Sequence, residues 1–410
     1  MNKKKTISLE MLVLTAYALI LTLRNIQSIV GTYVTTMYAF TYDHGFLARG
    51  VMGTILKAID LIIPGEQYNF AGVRAMCYAC DFLFVGILLA FFAYCLSRCE
   101  STLNRGIFSM AFVLGTFAFP EYIAFQNFGR TDAACAVLTI IMVWLIIRDK
   151  AVWLCVPLCA LGVMIHQGFV LQFIGAVLVL LFVRMCDCFT ASDFHNKKGW
   201  YYFAIAALSV VAAAVIFLYL NFNHTQGRAA YDEILKVAQS LAYPGYNGEV
   251  HKQLLMHEIL GEDPASDEWA IHVLNFKEGA IYAVLMLPYL IIAGRFFAKC
   301  IKRAAGWLQK LKYVAVAVGA WLILPDLIVK IDYGRWIFSM ILYFFLVVMA
   351  LLMMQDEIIT GEFHASVSRI RKHPALVVFL FVYPVFFTPM GDTWISQLSL
   401  RLANLLSGLM

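Results

Sequence analysis

Apolar runs of roughly 17–25 residues recur along the whole chain between short polar stretches, and a helix of that length crosses a bilayer. In lipid such a segment must satisfy its own backbone groups, which makes it helical. The pattern predicts about eleven spans, over 9–29, 73–96, 107–125, 133–148, 151–166, 168–184, 201–221, 280–297, 313–331, 336–354 and 375–390. The turn near 149–151 is tight. Two polar stretches are long, about 30–72 and about 222–279. In the first, 51–63 is apolar at helical spacing but interrupted by Lys57 and Asp60. It predicts a helix lying in the membrane interface, ended by Pro64-Gly65. In the second, 231–241 and 251–260 read as short amphipathic helices, separated by the turn-rich segment 243–248. No internal repeat, low-complexity segment or soluble domain interrupts this pattern. Residues 1–410 therefore read as one integral membrane domain, an all-α polytopic transmembrane helix bundle.

Composition agrees. Hydrophobic residues make up 62% of the chain and charged residues 14%, against roughly 45–50% and 25% in soluble domains. That excess is too large and too evenly spread for one buried core. The net charge of +5 reports topology and points to no nucleic acid. If the N-terminus is cytoplasmic, most of the 31 basic residues fall on the cytoplasmic side, in short segments such as Lys3-Lys4-Lys5, Arg98 with Arg105, Arg295 to Lys312, and Arg369 to Lys372. No small-residue cleavage site follows the first apolar stretch, so it reads as an uncleaved span. The ten cysteines lie mostly inside or beside spans. Cys186-Asp187-Cys188 is too tight for a structural zinc site, so the cysteines read as small apolar residues.

Ionisable residues at membrane depth are costly and are functional candidates by default. Here they gather at span ends in four clusters, all external in this topology. They are Tyr42-Asp43-His44-Gly45-Phe46 with Arg49, Glu121 with Asn127 to Asp132, His166-Gln167-Gly168, and Asp326 with Lys330 and Asp332-Tyr333-Gly334-Arg335-Trp336. Each also has a structural reading. Asp43 and Arg49 could form a loop ion pair. Thr131 or Asp132 could cap the following helix. His166 could be a solvated turn residue. Asp332 and Arg335 could pair at a helix start. Four such coincidences on one face are less economical than one site.

An Asp near the outer membrane surface can serve as general base on a hydroxyl. Arg and Lys beside it can hold a phosphate leaving group, and His can bind phosphate or carry a proton. That combination suits transfer of a sugar from a lipid-linked phosphate donor. With the carboxylate directly after the first span, the arrangement resembles the GT-C superfamily of polytopic glycosyltransferases. The segments 42–50 and 332–336 are similar to segments of GT-C-like membrane proteins of bacterial envelope-polysaccharide synthesis. The resemblance implies a polyprenyl-phosphate-linked sugar donor, a glycan or lipid acceptor and a site at the external face of a bacterial plasma membrane. It implies Asp43 as the base and Asp132 as a second acid, for base or metal ligand. Arg49, Arg130 and Arg335 would contact the donor phosphate, and His166 and Asp332 would orient acceptor or phosphate. His44, Gln167 and Tyr333 would bind substrate beside them. Gly45, Gly129, Gly168 and Gly334 would permit tight turns close to it, and the loop 222–279 would cover the site. The chain lacks the adjacent acidic pair that better-known members carry after the first span, which leaves open the base and any divalent cation. It also lacks a large soluble C-terminal domain, which argues against an oligosaccharyltransferase. A repeat-unit polymerase, a transporter or flippase of lipid-linked sugars, and a structural subunit of an envelope complex remain alternatives. Mid-span carboxylates such as Asp81 and Asp326 would be the mark of the transporter.

Overall fold

The computed structural model describes residues 30–97 (except 64), 128–189, 194–222, 227–262 (except 247), 268–325, 333–376 and 379. All elements in these residues are helical. They are α1 (Thr32–Met37), α2 (Gly50–Ile62), α3 (Phe70–Ser97), α4 (Asp132–Arg148), α5 (Cys155–Ile165), α6 (Phe169–Gln172) and α7 (Ile174–Cys188). After them come α8 (Lys197–Phe222), α9 (Gly227–Leu241), α10 (Lys252–Leu255), α11 (Glu268–Arg303), α12 (Gly306–Val318), α13 (Tyr333–Met353) and α14 (Glu357–Arg371). The expected spans 9–29 and 107–125, and most of 375–390, lie outside the described residues, as do Glu121, Asn127, Asp326, Lys330 and Asp332.

The other expected spans coincide with helix over their described residues, 313–331 only as far as 325, but helix length differs among them. Among the described residues two helices, α3 and α8, are long and apolar enough to cross a membrane, or three if α13 and α14 form one broken span. By contrast α4, with 17 residues, rises about 26 Å, just short of a hydrocarbon core roughly 30 Å thick. The tight turn at 149–151 is built by two left-handed residues, Asp149 (φ 52°) and Ala151 (φ 50°). Residue 173 divides the expected span 168–184 into α6 and α7.

The large core joins α3, α4, α5, α7, α8 and α11 to α14. Within it α8 lies against α5 and α7, α4 against α3, and α13 against α4 and α7. A second apolar cluster sits at one end and positions the site. It buries Val34, Met37, Tyr38, Phe40, Leu47 and Met52 of the first polar segment beneath Tyr231, Ile234, Leu241, Leu254, Leu255 and Ile259 of the second. The amphipathic helices expected in 222–279 pack their apolar faces down and leave Arg228, Asp232 and Glu233 exposed. α2 forms where 51–63 predicts a helix. It lies so close to the preceding chain that a Cβ on Gly53 would overlap the carbonyl oxygens of Tyr38 and Phe40.

Hydropathy misplaces two boundaries. The stretch 268–279 is expected to be loop because Glu268, His272, Lys277 and Glu278 are polar, yet it is the first third of α11. A helix satisfies its backbone in water as well as in lipid, so polarity alone does not end it. No helix is expected over 355–374, but α14 is there, turned 114° from α13. Asp356 starts it by accepting from the Ile359 amide (2.9 Å). Tyr313 Oη donates to the same carboxylate at 2.8 Å, and Lys312 pairs with it at 2.6 Å and with Asp187 at 2.7 Å. Arg303 and Glu362 (2.8 Å) add a second tie.

Candidate functional site

The chain reverses at Arg49, which enters α2 in the left-handed conformation (φ 63°). This is an uncommon and costly backbone state outside glycine, and it clusters at functional sites. The reversal brings the Arg49 side chain back over α1. Its guanidinium donates to the hydroxyl of Tyr33 and lies 5.8 Å from that ring's centre. Nε donates to Glu258 Oε1 at 2.8 Å, in a pair whose side chains are 11% and 3% exposed. Arg130 stands over the same Tyr33 ring at 4.9 Å. His251 meets Tyr33 edge-on, with centroids 5.3 Å apart.

Three polar segments distant in sequence thus converge on one tyrosine. Arg49 and Arg130 come from two of the four clusters, and His251 and Glu258 come from the loop expected to cover them. Glu258 belongs to a π-helical turn, Met256–Leu260, a rare geometry that recurs at functional sites. His251 is held from both sides. Its amide donates to Thr36 Oγ1 (3.0 Å), and its Nδ1 accepts from the Leu254 amide (3.2 Å). Burial first, and then the charges of Arg130 and Arg49, lower its pKa below 6.5. The imidazole is neutral at neutral pH.

Asp43 has other partners. It pairs with Lys57 and accepts from Thr41 Oγ1 at 2.9 Å, so the pairs formed are Asp43–Lys57 and Arg49–Glu258. The Lys57 ammonium and the Thr41 hydroxyl lower the Asp43 pKa, which keeps it ionised and makes it a weaker base. His44 reaches Glu233 of α9 at 3.5 Å, a second link between the two polar segments.

His166 is buried, not a solvated turn residue, and its Nδ1 accepts from the Gly168 amide at 2.9 Å. Gln167 follows it in the same turn. Thr131 stands at the N-cap position of α4 but makes no side-chain cap, because its backbone is helical rather than extended. Asp132 is the first residue of α4 and is buried, where the helix dipole favours a carboxylate. Two buried oxygens in the segments read as external, Tyr42 Oη and Thr131 Oγ1, have no hydrogen-bond partner among the described residues, and neither has Gln172 Oε1 within the expected span 168–184. Gly129 is left-handed (φ 81°), and a Cβ there would strike Cys77 Sγ, so this turn admits glycine alone. Tyr333, Gly334 and Arg335 form the first turn of α13. Among the described residues no three His, Cys, Asp or Glu side chains converge as a bound metal ion would require.

Tyr33, Lys57, Glu233, His251 and Glu258 are absent from the sequence-derived site. Glu258 left a signal. It falls on the apolar face of 251–260, three and four residues after Leu255 and Leu254, where a lone carboxylate needs a buried partner. Tyr33 left none, being one of 20 tyrosines. Comparison with protein-family models, curated proteins and solved structures gives no match.

Proposed function

We propose that the chain is a membrane glycosyltransferase that moves a sugar from a polyprenyl-phosphate-linked donor to an acceptor hydroxyl at the external membrane face, for cell-envelope glycan synthesis. The observation that carries this reading is the convergence of Arg49 and Arg130 on Tyr33 beneath the segment 227–262. The reading takes the membrane as a bacterial plasma membrane, the N-terminus as cytoplasmic and the bundle as about eleven spans of the length a bilayer requires.

A carboxylate takes the proton from the acceptor hydroxyl as its oxygen attacks the anomeric carbon. The bond from that carbon to the phosphate oxygen breaks, and polyprenyl phosphate leaves with the electron pair. Arg130 stabilises the charge on the departing phosphate. Arg49, held by Glu258 and Tyr33, fixes the wall beside it. Asp43 is the first choice for base and Asp132 the second. His166 orients the acceptor, and Asp332 with Arg335 completes the donor side.

The test is Asp43→Asn, read by envelope glycan profiling with the protein's membrane level measured in parallel. Lost or shortened glycan at normal protein level supports the reading. Accumulated single lipid-linked units would shift it to a polymerase. Normal glycan at normal level removes Asp43 as base. A second reading, transport of lipid-linked sugar, draws on Asp81, a carboxylate buried within the long apolar helix α3. Glycan loss in Asp81→Asn, with Asp43→Asn silent, would favour it.

A further inference from the structure

We propose that Thr131 and Gln172 bind non-reacting hydroxyl groups of a sugar acceptor. The proposal rests on the sugar-transfer reading and adds to it the subsite where the acceptor is held.

The fold brings the two side chains to the same end of one hairpin. α4 and α5 pack against each other across the tight turn at 149–151. Between them the Cys135 thiol donates to the Gly162 carbonyl at 3.9 Å. One helical turn further from the tight turn stand Thr131 on α4 and His166 at the end of α5. Backbone bonds close both turns, from the Cys135 amide to the Thr131 carbonyl (3.1 Å) and from the His166 amide to the Gly162 carbonyl (2.9 Å). The chain then passes through Gly168 into α6. A Cβ on Gly168 would stand 2.8 Å from the His166 ring and 3.1 Å from Gln172 Nε2, so the ring and the Gln172 amide flank one point. Thr131 is 3% and Gln172 8% exposed. Thr131 Oγ1 and Gln172 Oε1 have no hydrogen-bond partner among the described residues. Buried polar atoms left in this way oppose folding, and two at one end of a hairpin point to a ligand that supplies their partners.

The chemistry of these atoms selects the ligand. An amide oxygen only accepts, whereas a hydroxyl accepts and donates. Asp132, next to Thr131, is buried as well and only accepts when ionised. A phosphodiester offers acceptors alone, so it has no proton to give Gln172 Oε1. A sugar hydroxyl donates and accepts and suits both orphan oxygens. Arg130, directly before Thr131, stands over the Tyr33 ring at 4.9 Å. The arginine assigned to the donor phosphate and the hydroxyl assigned to the acceptor are therefore consecutive residues, about 3.8 Å apart at their Cα atoms. That adjacency brings the two substrates to one place.

Gln172→Met and Thr131→Val nearly keep the side-chain shapes and remove the orphan oxygens. Two quantities test the proposal in each full-length variant, with Arg130→Ala alongside. One is the melting midpoint of the purified protein in detergent. The other is the rate of envelope glycan synthesis by pulse labelling at measured membrane level. The midpoint should hold or rise, because no hydrogen bond within the protein is lost. Glycan synthesis should fall about fivefold, the worth of one hydrogen bond to an uncharged hydroxyl. If one variant lowers the midpoint, the other carries the test alone. A midpoint lowered in both assigns the oxygens to the fold, through a buried water, and overturns the proposal. Undiminished glycan synthesis in a variant that keeps its midpoint, while Arg130→Ala loses glycan, overturns the proposal and leaves the sugar-transfer reading standing. Undiminished synthesis in all three variants overturns that reading, and the proposal with it.

Discussion

Replacing Glu258 with Gln leaves the shape of the side chain and removes the charge that Arg49 faces at 2.8 Å. Glu258 is buried and the Arg49 side chain is only 11% exposed, so the guanidinium recovers little of the lost interaction from water. Removing one partner of such a pair costs about 3–5 kcal/mol. The figure here should fall at the lower end, because Arg49 keeps the Tyr33 hydroxyl and ring, and Gln can still accept one hydrogen bond. The loss is local, since Glu258 holds the segment 227–262 onto α1 and α2 rather than the large helical core. Hydrogen exchange of the protein in lipid nanodiscs reads it directly. A loss of about 3 kcal/mol in local opening speeds exchange roughly 150-fold. Amides of α9, α10 and the π-helical turn should accelerate by that order while those of α4 and α7 stay protected. Glu258→Gln combined with Arg49→Met should cost less than the two single changes summed, because the second removes the stranded charge. Unchanged exchange over 227–262, or additive effects, would refute the reasoning.

Arg130→Lys keeps a charge but loses the planar group that lies over Tyr33; activity should fall while protein level holds, with Arg130→Ala the more severe by glycan profiling. The depressed pKa of His251 makes the folded protein resist protonation there while the unfolded chain protonates near 6.5. Stability should therefore decline as pH falls from above 6.5 toward the folded pKa, and thermal melts of His251→Gln should lose that part of the pH dependence. Gly129→Ala forces a Cβ into left-handed backbone and onto Cys77 Sγ, which predicts a melting point lowered by a strain of about 1–3 kcal/mol. Lys312→Met leaves Asp356 buried against Tyr313 without its cation, so α14 should become sensitive to limited proteolysis.

The helices were largely legible because membrane-length apolar runs allow only one backbone solution. α3, α8 and α13 follow from hydropathy, and so does α2, where Lys57 and Asp60 interrupt without breaking the period. α14 was not legible, since its start rests on Asp356 joining three partners that lie far apart in the chain. The site was legible in part. Arg49 and Arg130 stood out as charges beside spans, and their convergence on Tyr33 depends on the left-handed turn at Arg49, which no residue pattern signals. Asp43 stood out equally, but its pairing with Lys57 reflects an approach between the 42–44 turn and α2. His251 and Glu258 lie some two hundred residues further on, and only packing of the second polar segment onto the first brings them in.

The most direct measurement is the envelope glycan of cells whose sole copy carries Arg130→Ala, with the membrane level of the protein quantified alongside. The account predicts glycan lost or shortened at undiminished protein level. Normal glycan at that level would contradict it, because Arg130 is the cation assigned to the departing phosphate.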